Sequence, residues 1–197
     1  MTWWDHKTRS VWSQPWGAAI SGPLEGAALT LIPSSVVPWS TWVADHPETT
    51  VLMNILDRER LRVQVGRDDF VVGVALGDRA MAYPYELASR SRVINDRIGE
   101  HPVAVFVDPA TRDIRVFLRR PLGTPAGGPV VSVLAFEVDG AGRVHDRETA
   151  SLWDTFRGVA TEGPLKGARL QEIPYTTAFD WAWRGFFPHS GFYGDEG

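Results

Sequence analysis

Two segments of this 197-residue chain carry the same acids, hydroxyls and indoles: Asp5, Thr8, Ser10 and Trp12, and again Asp146, Thr149, Ser151 and Trp153. Ser10 or Ser151 could be a nucleophile if a base stood beside it. Asp5 and Asp146 could share acid–base work if pseudo-symmetry brought them together. The spacing supplies neither arrangement. Asp-x-x-Thr is turn chemistry, in which carboxylate and hydroxyl bond nearby backbone amides. Ser-x-Trp alternates along a strand, so Ser10 and Trp12 share one face and Val11 takes the other. A hydrogen-bonding structural role is expected for both sets, with Trp12 and Trp153 as core side chains.

Other reactive types offer less. The histidines are His6, His46, His101, His145 and His189, and none pair as His-x-His or His-x-x-x-His. They read as exposed or capping side chains. The chain has no cysteine, which removes disulfides, thiolate ligands and thiol nucleophiles. No Gly-x-Ser-x-Gly elbow, phosphate-binding Gly-Lys loop or His-Glu-x-x-His pair occurs. Gly123 to Gly128 is glycine-rich, but Pro125 interrupts it and no lysine-bearing helix follows, so a loop is expected. Net charge is −4, and Lys7 and Lys166 are the only lysines among dispersed, mixed-sign charges. No basic run could follow a phosphate backbone, so nucleic acid is not an expected partner. No apolar stretch approaches the ~20 residues that cross a bilayer. The start, MTWWDHKTRSVW, lacks the apolar core of a signal peptide. The default compartment is therefore the cytoplasm, unless Met1 is an internal start. No cofactor is expected.

The elements that must position these residues come as a repeat. Residues 5–47 align without a gap on 146–188. The sixteen identities are Asp5, Thr8, Ser10, Trp12, Gly17, Ala19, Gly22, Pro23, Leu24, Gly26, Ala27, Leu29, Ile32, Pro33, Trp42 and Pro47, each matched 141 residues on. Gly17 and Gly158 suit a bulge or turn. Gly-Pro-Leu-x-Gly reads as a tight turn between short strands, the second ending irregularly near Pro33. The following Trp-bearing segment, Thr176 to Trp183 in the second copy, reads as a short helix with Phe179 and Trp183 on one face.

The middle differs. Phe70 to Tyr83 is a hairpin turning at Gly77-Asp78. Pro84 sits at a first-turn position before helix formers. Asn95 to Gly99 reads as a turn, and strands are expected over Pro102–Val107, Ile114–Leu118 and Pro129–Val138. Part of the link 48–69 reads as ordered. Strands following one another by short links predict an α+β fold, mainly antiparallel β with a few short helices and an internal pseudo-repeat.

These residues resemble the family catalogued as domain of unknown function 3179. The resemblance rests on Asp-x-x-Thr-x-Ser-x-Trp and Gly-x-Ala-x-x-Gly-Pro-Leu-x-Gly-x-x-Leu. It also rests on Val-Gly-Val at 72–74, Ala-Tyr-Pro at 82–84, Asn95-Asp96, and Pro-Val-Ala-Val at 102–105. It implies one complete repeat over 70–193, preceded by the C-terminal half of another over 1–53, with 54–69 connecting them. Two departures stand out. Ser91 replaces the His that the family pattern places before Asn-Asp, and Asp108 begins the segment where the family carries Cys-Pro-x-Cys-Gly. Asn95-Asp96 is the polar remnant of that motif, and Asp96 with Asp108 could bind a hard cation through oxygen.

The reading that follows is a degenerate family member acting as a non-catalytic binding or assembly module. The alternative is a metal- or carboxylate-dependent enzyme with a cleft around Asn95, Asp96 and Asp108. The half copy is expected to fold against the complete one as a single unit. A homodimer or a larger protein complex are the partner classes left open.

Overall fold

The structure, a computed structural model, describes residues 2–35, 37–51, 69–123 and 128–195. The first copy forms β1 (Thr2–Trp4), β2 (Val11–Ser13), β3 (Ala18–Ser21) and α1 (Trp39–Asp45). The middle contributes β4 (Phe70–Leu76), β5 (Arg79–Pro84), α2 (Tyr85–Ser91), β6 (Val93–Ile98), β7 (His101–Val107), β8 (Ile114–Leu122) and β9 (Phe136–Val138). The second copy supplies β10 (Val144–Asp146), β11 (Leu152–Asp154), β12 (Val159–Glu162), β13 (Arg169–Glu172), β14 (Thr176–Phe179), α3 (Asp180–Phe186) and β15 (Gly191–Phe192). The fold is α+β, mostly antiparallel sheet with short helices.

The repeat in sequence is a repeat in backbone. At the same offset β2, β3 and α1 fall on β11, β12 and α3. Trp3 pairs with Trp12 as Val144 pairs with Trp153. Both ladders slip at one place, between Val11 and Trp12 and between Leu152 and Trp153. Arg9 and Ala150, at matching positions, both take the left-handed conformation, with φ of 60° and 56°. Trp42 and Trp183 each donate an indole N–H to a hydroxyl seven residues on, Thr49 at 2.9 Å and Ser190 at 2.8 Å.

Eight strands, in the order β6-β7-β8-β13-β12-β11-β10-β9, make one antiparallel sheet. Its two edge strands meet. The side-chain amide of Asn95 in β6 donates to the Phe136 carbonyl and accepts from the Phe136 amide, both at 2.8 Å. The sheet thus curls into a barrel whose edge strands are bridged at this position by a side chain in place of a backbone ladder. Its interior holds Phe106, Phe117, Leu134, Phe136, Trp153, Leu165 and Leu170. A second sheet, β14-β4-β5-β15, packs with α2 over the outside of the barrel. β7 therefore has two buried faces, Ala104 and Phe106 inward, Val103, Val105 and Val107 outward. That is why it reads as a continuous apolar run rather than an alternation.

Several expectations change. Asn95 and Asp96 lie within β6, and the turn follows at Gly99. Pairing with β7 and the buried Ile94 and Ile98 outweigh the local turn preference of Asn-Asp. Only Phe136–Val138 of the expected Pro129–Val138 strand forms. Thr176–Phe179 is a strand on β4, and α3 starts at Asp180, so Phe179 precedes the helix at its N-cap position instead of sharing a helical face with Trp183. Pro84 is the residue before α2, not its first turn. Gly17 and Gly158 are turn residues, and the bulge lies elsewhere. Residues 52–68 of the link and 124–127 of the glycine-rich loop are outside the described residues.

Candidate functional site

The repeated motif is a four-residue hydrogen-bonded node, built twice. In the second copy the Thr149 amide donates to Asp146 Oδ1 at 2.6 Å, and the Thr149 hydroxyl to the same oxygen at 2.8 Å. The Trp153 indole donates to Asp146 Oδ2 at 2.9 Å. Thr149 Oγ1 and Ser151 Oγ share a proton-mediated contact of 2.7 Å, and the Leu165 amide donates to Ser151 Oγ at 2.9 Å. The node ties the β10–β11 turn to the Gly-Pro-Leu turn. Gly163 is required there: at φ +89°, a Cβ would lie 2.8 Å from the Ser151 Cα. Asp146 and Ser151 are fully buried.

The first copy repeats the node with Thr8 on Asp5 at 2.5 Å, Trp12 on Asp5 at 3.2 Å, and the Leu24 amide on Ser10 at 3.0 Å. Hydrogen bonds from the Thr8 hydroxyl, and then the Thr8 amide, hold the Asp5 carboxyl down at about 2, against an ordinary 3.8. A depressed folded-state pKa contributes stability that is present above the unfolded value and lost as pH falls through the folded one. The Trp12 indole N–H resonance is therefore expected to stay put from neutral pH down to about 4 and to shift with a midpoint near 2. A midpoint near 3.8 would mean that the node does not form in the first copy.

Asn95 and Asp96 point to opposite sides of β6. Asn95 faces the barrel seam, where its amide substitutes for a missing strand. Asp96 faces the second sheet and accepts the buried Tyr83 hydroxyl at 2.9 Å. Burial first, and Asp96 second, push the Tyr83 phenol far above its usual range, so it stays protonated and donates. Arg119 closes the same seam, donating to the Leu134 carbonyl at 2.6 Å and the Asp96 carbonyl at 3.0 Å. Replacing Asn95 with alanine leaves both Phe136 backbone groups without that partner. We expect a loss of about 2–4 kcal/mol in urea denaturation; a loss below about 1 kcal/mol would mean the seam is held by other contacts.

Asp108 stands past the end of β7, five residues beyond Val103, the partner of Asp96. At about 3.3 Å per residue the two carboxylates are roughly 16 Å apart along the strand. Asp108 Oδ1 accepts the Ala110 amide at 2.8 Å, within its own turn. Ser91 is exposed at the end of α2. The structure therefore does not gather Ser91, Asn95, Asp96 and Asp108 into one cleft.

It does bring Asp108 and Trp153 to one concavity at the barrel mouth, about 430 Å³ in volume. Phe106, Trp153 and Phe156 line it with Arg92, Asp108, Arg143, Asp154 and Glu162. Arg92 Nη2 donates to the Gly142 carbonyl at 3.0 Å. Arg143 is held by Asp139 at 2.9 Å, and Asp154 caps the Phe156 amide at 2.9 Å. Mixed charge on an aromatic floor suits a small polar ligand. No serine, threonine or tyrosine there has a histidine beside it. Among the described residues no three His, Cys, Asp or Glu side chains converge in a metal-holding arrangement.

Three arginines that no sequence motif marks, Arg92, Arg115 and Arg119, also hold this region together. Arg92 and Arg119 are described above. Arg115 is buried over the Phe156 ring at 4.2 Å and bonds the Ser35 hydroxyl and Glu172, the latter at 3.3 Å. The signal was present in the alternation of Ile114-Arg115-Val116-Phe117-Leu118-Arg119. It places Arg115 and Arg119 on the same face as Phe117.

The fold and its site define an antiparallel α+β protein in which one module occurs twice, once as a separate three-stranded sheet and once within the eight-stranded barrel. The family model described as "Protein of unknown function (DUF3179)" matches residues 1–63 and 58–190, and the chain belongs to that family as a partial copy followed by a fuller one. Comparison with curated proteins gives no match, and neither does comparison with solved structures.

Proposed function

We propose that this protein is a non-catalytic binding or assembly module, in which a partial repeat over 1–53 joins, through 54–69, a complete repeat over 70–193 in one globular unit. The observation that carries this reading is where the motif residues spend their hydrogen-bonding capacity. Asp146, Thr149, Ser151 and Asn95 hold turns and strands together, and Asp96 holds Tyr83. A nucleophile or base needs a free lone pair or proton aimed at a substrate. Joining of the two copies is supported by three contacts: the Trp16 indole on the Phe186 carbonyl at 3.1 Å, Ser35 with Arg115 and Glu172, and Arg157 with Asp45. Large apolar side chains lie exposed mainly within residues 1–51, which fits a surface for a protein partner.

Titration calorimetry of the intact chain with Mg²⁺, Mn²⁺ and Zn²⁺ tests the reading. No saturable binding sensitive to Asp96→Asn or Asp108→Asn is expected. Stoichiometric binding lost in either variant would favour the carboxylate-dependent enzyme instead.

A further inference from the structure

The concavity at the barrel mouth holds a cation that no acid of the described residues neutralises. Most charges around it are already paired: Arg143 with Asp139 at 2.9 Å, and Asp154 with Arg157 at 2.8 Å. Arg92 is different. It follows α2 with φ of 62°, a left-handed conformation that glycine adopts at less cost. A guanidinium has five N–H donors. Among the described residues that of Arg92 makes one hydrogen bond, from Nη2 to the Gly142 carbonyl at 3.0 Å. Its Nε is shielded from solvent and has no partner. Two carboxylates of the same lining have room for a further donor. Asp108 takes the Ala110 amide on Oδ1 and leaves Oδ2 unbonded. Exposed Glu162 bonds nothing among the described residues. Beneath these groups the floor is apolar and held in place. Phe106 and Trp153 are buried, the Trp153 indole N–H is committed to Asp146, and Arg115 covers one face of the Phe156 ring at 4.2 Å.

We propose that this concavity binds a free α-amino acid with an aromatic side chain. Charge decides the headgroup. A simple anion would meet the unpaired Asp108 and Glu162, and a simple cation would meet Arg92. A zwitterion gives each its complement. Its carboxylate takes the planar guanidinium of Arg92, and its ammonium takes the free oxygens of Asp108 and Glu162. The floor decides the side chain. An aromatic ring meets Phe106, Trp153 and Phe156 in the offset or edge-on contacts that such rings favour. At about 430 Å³ the concavity falls in the lower part of the range of small-molecule sites, roughly 300–1,000 Å³. The inference rests on the binding-module reading and supplies the class of ligand bound.

The test titrates the intact chain with L-phenylalanine and follows the indole N–H resonances by NMR. The Trp153 resonance is expected to shift saturably, and that of Trp12, its counterpart in the first copy, to stay in place. Phenethylamine and 3-phenylpropionate each lack one of the two charges. Both should bind more weakly than L-phenylalanine, by on the order of tenfold or more. Arg92→Gln should erase the preference for L-phenylalanine over phenethylamine, whereas a merely structural arginine would weaken both ligands and leave the preference intact. Because Arg92→Gln alters the turn after α2 and can unfold it, Glu162→Gln, an exposed change, provides the second variant. It should narrow the preference for L-phenylalanine over 3-phenylpropionate. No saturable Trp153 shift at millimolar L-phenylalanine would overturn the proposal. So would equal affinity for the three ligands, or preferences that both substitutions leave unchanged. None of these results bears on the metal titration, so failure here is distinct from failure of the non-catalytic reading.

Discussion

Asp146→Ala is expected to lower the stability of the chain by about 3–5 kcal/mol, the largest loss from any single polar side chain in the barrel. The carboxylate is fully buried and accepts from the Thr149 amide, the Thr149 hydroxyl and the Trp153 indole. Removing it leaves those donors in an interior where water does not replace it. The loss also releases the Thr149–Ser151 contact that holds the Gly-Pro-Leu turn. Urea denaturation followed by tryptophan fluorescence measures it. The matched change in the first copy, Asp5→Ala, acts on a node with fewer buried neighbours. It should leave the main transition in place and appear as faster amide exchange around Thr8 and Ser10. Equal effects of the two substitutions would show that burial does not separate the copies.

Gly73→Ala is expected to cost a similar amount, about 3–5 kcal/mol, through a different cause. A Cβ at position 73 would lie 2.2–2.6 Å from three carbons of the Trp183 ring. Gly73 lies in the middle of β4, paired to Ala82 and Thr176, so the backbone is held on both sides. The indole must leave its site among Val71, Ala80 and Ala82, and its bond to Ser190 goes with it. Trp183→Ala alone should cost about 3–5 kcal/mol for the lost packing. Combined, the two changes should cost little more than either, because the clash disappears with the ring. Additive losses would place the strain elsewhere.

The part of the fold that is local was legible in the sequence. Gly77-Asp78 marks the β4–β5 hairpin, Asp-x-x-Thr and Gly-Pro-Leu-x-Gly mark their turns, and the offset of 141 marks the duplication. Each works through backbone conformations within a few residues. What was illegible depends on partners distant in the chain. Asn95-Asp96 looks like a turn until β7 pairs with it. Thr176 to Phe179 looks like a helix start until β4 offers an edge. The barrel seam was invisible because it joins residues 95 and 136 through one side chain acting as backbone. The candidate site was legible only as residue types. Burial, which tells a buried structural carboxylate from a reactive one, is not written in any motif.

The first copy forms the same folded node as the second, with less burial over it. Hydrogen exchange at the individual indole N–H groups of the intact chain, resolved by NMR, measures this directly. Trp12 and Trp153 should both be protected, through Asp5 and Asp146, while Trp183 should exchange far more slowly than Trp42. Exchange of Trp12 at the rate of an unfolded peptide, with Trp153 protected, would contradict it.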